Sequence, residues 1–146
     1  MLVAAAIPHA ALDLDWLCVM YPPQGRYGEP LVVANLAAVW PVYKAAGAER
    51  LLVARVIEHR SELERYRDAI PGADIVVCRL TASAETMRDR LRDREPGMFQ
   101  TEAIARSAEL EQVLERERVE DFTVDNDAGG NVTEVAREVL TRAGWP

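Results

Sequence analysis

The run RLLVARVI, residues 50–57, constrains the fold more than any other stretch. It is almost continuously apolar, without the in–out alternation of a strand that faces water on one side. Such runs belong to strands covered on both faces, as in parallel sheets. Parallel strands need a crossover between them, usually a helix, and helical patterns flank this run. From Pro30 to Ala46, residues Val33, Leu36, Ala37, Trp40 and Tyr43 fall at helical spacing. Pro41 predicts a kink or boundary there, and Gly47 a helix stop. After the run, SELERYRDAI opens with Ser61 and Glu64 in capping-box spacing, which predicts a short helix.

The alternation continues in both directions. HAALDLD reads as a strand before the first helix. The opening MLVAAAIPHA reads as the last turn of a helix leading into it. PGA turns the chain into a strand DIVVCRL, followed by a polar helix from Ser83 to Asp93 that EPG ends. A long charged helix spans Gln100 to Arg118, then a strand DFTVD, a loop NDAGG and a last helix from Asn131 to Ala143. Asn131 and Glu134 again have cap-and-return spacing. Strand–helix alternation throughout predicts one α/β domain over residues 1–146, three-layer α/β/α with a mainly parallel sheet.

At 146 residues the chain is long enough for a substantial core. Its formal charge of −7 argues against nucleic acid or an anionic membrane as the main partner. The opening apolar stretch is too short for a membrane span and lacks the basic flank of a secretory signal. Cys18 and Cys78 have neither metal-ligand nor redox spacing, which suits a reduced, cytoplasmic setting. Lys44 is the single lysine among 17 cations. Arginine suits planar oxyanions such as phosphate, although a general composition bias gives the same count.

In open parallel sheets, ligands bind at the carboxyl ends of the strands. Asp13 and Asp15 end the first strand, and a period of two puts them on one side. Two carboxylates there can bind Mg²⁺ through water or accept a proton from a substrate hydroxyl. The plainer alternative is a capped turn. Glu58, His59 and Arg60 follow the second strand. Arg60, just before a helix N-terminus, suits an anionic ligand, whereas nothing is spaced to make His59 a catalyst. In the Ser83–Asp93 helix and its end, Arg88, Arg92 and Arg94 alternate with Glu85, Asp89 and Asp93. This is either a solvated salt-bridged face or an arginine-bearing lid over phosphates. The loop YPPQGRYGEP offers Tyr21, Arg26 and Tyr27 as ligand contacts, or is a proline-stiffened surface loop.

In this order the features resemble the P-loop small-molecule kinases, most closely the adenylylsulfate kinase and gluconate kinase-like group. LDLDWL is similar to that group's LDGD strand end. ANLAAVWPVYKAAGAERLLVARVIEHRSELERYR resembles its asparagine-bearing helix, turn, strand and arginine loop. DIVVCRLTASAETMRDRL resembles the segment before the lid, and FTVDNDAGGNVTEVAREVL the closing strand, base-proximal loop and final helix.

The resemblance implies ATP and Mg²⁺ as cofactors and a small-molecule acceptor. It implies Asp15, with Asp13, as the acceptor-side base or Mg²⁺-water ligand. It further implies Asn35, Arg60 and Arg26 as substrate-binding, Arg88, Arg92 and Arg94 as lid groups on phosphate, and Asn126 and Asp127 as the base loop.

Leu14 and Trp16 depart from the small and polar neighbours typical of adenylylsulfate kinases. No G-x-x-x-x-G-K-[ST] occurs in the 146 residues, and that loop is what holds the β- and γ-phosphates in such enzymes. The sequence therefore predicts a kinase-like domain lacking its first strand and phosphate loop, with little or no kinase activity by itself. The family's sheet order places that strand centrally, so two interior strands lose a partner. A degenerate, non-catalytic fold that binds a metabolite or a partner, its apolar gap favouring a homodimer, is the second reading. The third is a haloacid-dehalogenase-like phosphatase using Asp13 and Asp15. In that family a Gly-Thr pair stands where this chain has Trp16 and Leu17, and a downstream loop lysine is needed.

Overall fold

The computed structural model describes residues 1–25, 28–127 and 130–145. The chain forms two compact units, Met1–Ile75 and Val76–Pro146. Both are α/β, and each is built on one parallel pair of strands.

In the first unit β1 (His9–Asp13) passes into a 3₁₀ helix (Leu14–Cys18), then α1 (Glu29–Ala45), β2 (Arg50–Ala54) and α2 (Arg60–Ala69). β1 and β2 pair in parallel from His9 opposite Arg50 to Asp13 opposite Ala54. The core collects Leu14 of the 3₁₀ helix, Val32 and Leu36 of α1, and Tyr66 and Ala69 of α2, with Leu12 and Leu51 packed from the strands. Burying a side chain such as Leu14 or Leu36 contributes about 1.5–3 kcal/mol. Gly28 holds φ at 63°, and a Cβ there would lie 2.5 Å from the Cys18 Cβ. The entry to α1 therefore requires glycine on both counts.

In the second unit β3 (Cys78–Thr81) leads to α3 (Ala84–Arg94), α4 (Gly97–Glu117), β4 (Phe122–Asp125) and α5 (Val132–Arg142). β3 and β4 are parallel, with Cys78 opposite Phe122 and Thr81 opposite Asp125. Val119 and Val124 are buried. Arg79 forms an ion pair with Glu115 of α4 at 2.8 Å, and the Arg142 guanidinium lies 4.5 Å from the centre of the Phe122 ring. Burial pushes the Cys78 thiol above its ordinary value, with Arg142 opposing the shift.

Several elements depart from the sequence expectation. The strands are parallel as expected, but they form two separate two-stranded sheets. β2 stops at Ala54, opposite Asp13, where its partner β1 ends and curls into the 3₁₀ helix. Ile57 packs on the core instead. β3 likewise starts late. Val77 is held by the Asp121 carboxylate, which accepts its N–H at 2.8 Å.

α1 runs through Pro41 without a boundary. A proline there removes one backbone donor, and the turn closes behind it through Ala46 N–H to Val42 O. α2 begins at Arg60, so the cap is His59 and not Ser61. Glu62 accepts the N–H groups of Glu58 at 3.0 Å and His59 at 2.8 Å, doing what Glu64 was expected to do. Hydrogen-bonded turns over residues 2–6 stand where a helix end was expected. Ser83 and Asn131 cap α3 and α5 at the expected places, accepting from Thr86 N and Thr133 N.

Because Leu36 is fully enclosed by the first unit's core, Leu36→Ala should destabilise that unit by about 2–5 kcal/mol. Urea unfolding followed by tryptophan fluorescence and by circular dichroism measures it, and an unchanged midpoint would contradict this core assignment.

Candidate functional site

The carboxyl end of β1 carries the best-defined polar constellation. Asp13 ends the strand, and its Oδ1 accepts the Asp15 N–H at 3.0 Å, starting the 3₁₀ helix. Period-two geometry therefore stops at Asp13, and the two aspartates do not share a strand face. Leu14 plunges into the core, so its neighbours Asp15 and Trp16 project outward. A capped turn does form here, but its cap is Asp13 at the strand end and not Asp15, which was the expected cap.

Asp15 has a partner that the sequence did not reveal. Arg55 Nη1 donates to Asp15 Oδ1 at 2.6 Å. The β1–β2 register explains the meeting. Asp13 faces Ala54, so Arg55 and the 3₁₀ helix both lie just beyond the paired ends. The Arg55 side chain is 8% exposed and that of Asp15 74%. The pair is thus a cation out of water tethering a carboxylate that remains in it. Behind Arg55 stands Tyr66 of α2. Burial raises the Tyr66 phenol above its ordinary value of 10.0, while the Arg55 charge and a hydrogen bond with Arg55 oppose the rise, and Glu62 and Glu29 add to it.

Asn35 is close by but engaged. Its Nδ2 donates to the Leu17 carbonyl at 2.6 Å, tying α1 to the 3₁₀ helix. Arg60 is exposed at the start of α2, and His59 is its cap. Tyr21 is exposed, while Arg26 and Tyr27 lie outside the described residues.

In the second unit the expected base-loop residues stand at the carboxyl end of the strand pair. Asn126 N–H donates to the Thr81 carbonyl at 2.7 Å, and Asp127 Oδ1 accepts from the Ser83 hydroxyl at 2.9 Å. Asp127, but not Asn126, borders an open depression of about 420 Å³ whose lining includes Glu85, Asp89, Arg90 and Asp93. Four carboxylates, Asp127 included, against Arg90 and the Arg92 that pairs with Asp89 leave this wall net negative and unfavourable to phosphate. Arg88, Arg92 and Arg94 are held locally, by the Ala84 carbonyl, by Asp89 at 2.9 Å and by Glu95 at 2.8 Å. That arrangement is the salt-bridged face, one of the two readings the sequence left open.

Sequence reasoning missed Arg55 and Tyr66. The available signal was a charged residue, Arg55, interrupting an otherwise apolar run. A cation there needs a carboxylate, and Asp15 ends the strand expected to neighbour it. Lys44 stands in the last turn of α1. Among the described residues no group of three or more His, Cys, Asp and Glu is placed to hold a metal ion, and no helix is long and apolar enough to cross a membrane. Comparison of the chain with protein-family models, with curated proteins and with solved structures finds no match.

The raised Tyr66 midpoint has a consequence for stability. Below about pH 10 the phenol is protonated folded and unfolded, and its contribution is fully present. As pH rises through the higher native midpoint the unfolded chain ionises first and the contribution is lost. Thermal melts at increasing alkaline pH should therefore fall less steeply for Tyr66→Phe than for the native chain, and equal slopes would contradict the assignment.

Proposed function

We propose that this chain has a kinase-like phosphotransferase fold of three-layer α/β/α type and carries an acceptor site for a hydroxyl of a small molecule or nucleotide. The observation that carries the reading is the Asp15 carboxylate, held by Arg55 at the carboxyl end of a parallel strand. Its support is topological as well. Each strand pair is parallel with helices in the connection, and β2 and β3 each pair along one edge, with apolar Leu52, Val53 and Leu80 exposed. An interior strand of a parallel sheet has that character, and the kinase sheet order puts the phosphate-loop strand at such edges.

The residues present do not make a site for ATP and Mg²⁺. The glycine-rich loop is absent from the sequence, the depression at Asp127 is acidic, and the lid arginines are spent on neighbours. No phosphoryl-transfer step is assigned to these residues alone. What they do is bind and orient. Asp15 accepts a hydrogen bond from the acceptor hydroxyl, and Arg60 stands exposed at the first turn of α2. The lack of a phosphate loop also favours a second reading, a kinase fold that binds a hydroxylated metabolite without transferring phosphate.

A thermal-shift panel of sugars, nucleosides and aminoglycosides tests the acceptor site. A ligand at a hundredfold excess over its Kd stabilises by about 2.7 kcal/mol. At least one class should raise the melting temperature, Asp15→Asn should abolish the rise, and ATP with Mg²⁺ should give no binding heat. Shifts that survive Asp15→Asn, or none at all, would contradict the reading. The coding DNA before the Met1 codon supplies an independent check. An in-frame strand with a Walker A sequence supports the kinase assignment, and an immediate stop codon overturns it.

A further inference from the structure

A carboxylate at a strand end has two chemistries open to it: it can ligate a divalent cation, or it can accept a hydrogen bond from a hydroxyl and take its proton. The surroundings of Asp15 discriminate between them. Arg55 Nη1 lies 2.6 Å from Asp15 Oδ1 and its side chain is 8% exposed, so its charge is poorly screened by water. The guanidinium is backed by the buried Tyr66, whose hydroxyl hydrogen-bonds it. A divalent ion bonded to the same carboxylate at roughly 2.0–2.1 Å would stand a few ångströms from that fixed positive charge. Nor does the site assemble a compensating set of donors. Asp13 Oδ1 is spent on the Asp15 N–H, and no cluster of metal-ligating residues occurs among the described residues.

We infer that Arg55 is a positioning residue that clamps Asp15 by Oδ1, presents Oδ2 as a hydrogen-bond acceptor to a ligand hydroxyl, and keeps divalent metal off that carboxylate. This rests on the reading of Asp15 as an acceptor-side group, and it separates the two roles which that reading leaves together. The clamp also accounts for the geometry. With Oδ1 engaged from the protein side, the remaining oxygen belongs to a carboxylate that is 74% exposed, available to solvent and ligand.

The test is Mn²⁺ titration of the ¹⁵N-labelled 146-residue chain, reading paramagnetic broadening of the Asp13–Trp16 amides. The native protein should show no selective broadening there. Arg55→Met should show it at roughly tenfold lower Mn²⁺ than any general broadening of the native spectrum. Arg55→Lys, which keeps a charge without the planar fork, should behave as the native chain. A purely structural arginine would not divide Lys from Met in this way.

Selective broadening of the native chain, or identical responses of the Lys and Met variants, would overturn the inference. If Arg55→Met fails to fold, Arg55→Gln, which likewise removes the charge, takes its place against Arg55→Lys. Neither outcome alters the hydroxyl-ligand panel, so failure of the clamp and failure of the acceptor site are told apart.

Discussion

A guanidinium withdrawn from water must be given a carboxylate, and in the first unit that requirement ties the fold to its surface chemistry. Arg55 sits one residue past the end of β2, and Asp15 two residues past the end of β1. Their contact closes the end of the strand pair. It locks the 3₁₀ helix over the core residue Leu14 and brings Tyr66 of α2 against the same cation. Removing one member of such a pair leaves a charge poorly solvated, which costs more than the pair contributes when intact. The same contact holds Asp15 in place at the edge of solvent. One interaction therefore orders the strand end and presents the group with most to offer a ligand.

The two units handle charge differently, and the difference bears on function. In the first, a buried cation supports an exposed anion. In the second, the carboxyl end of β3 and β4 opens on a depression lined with carboxylates, while the arginines of α3 pair along their own helix. A phosphate-binding wall would need the reverse arrangement. The depression in the second unit is thus unsuited to phosphate, which is why the proposed acceptor role rests on the first unit alone. The exposed apolar residues along β2 and β3 fit the proposed three-layer fold, since parallel sheets ordinarily bury such strands.

Much of the secondary structure was legible because it is local. Helical periodicity marked α1, Ser83 and Asn131 marked the starts of α3 and α5, and Gly47 follows the end of α1 with φ of 101°. Where reading failed, the deciding information was non-local. β2 is shorter than its apolar run, stopping opposite the end of β1, and nothing within RLLVARVI records that. His59 replaces Ser61 as the α2 cap because Glu62 lies at the same spacing from His59 as Glu64 does from Ser61, so the pattern alone is degenerate. Asp15 was legible as a candidate, but its partner lies 40 residues away, and only the parallel register brings the two together. Asn35 was expected at a ligand, yet its amide holds the Leu17 carbonyl, a use that depends on how α1 meets the 3₁₀ helix.

The Asp15–Arg55 pair is the claim on which the rest turns, and a double-mutant cycle measures it directly. Stabilities of the native chain, Asp15→Asn, Arg55→Met and the double variant give the coupling energy without reference to any ligand. Because Asp15 is largely in water, the coupling is expected on the order of 1 kcal/mol, with the double variant more stable than the sum of the single losses predicts. Additive losses, with no coupling beyond error, would mean that Arg55 does not hold Asp15 and would remove the basis for the site.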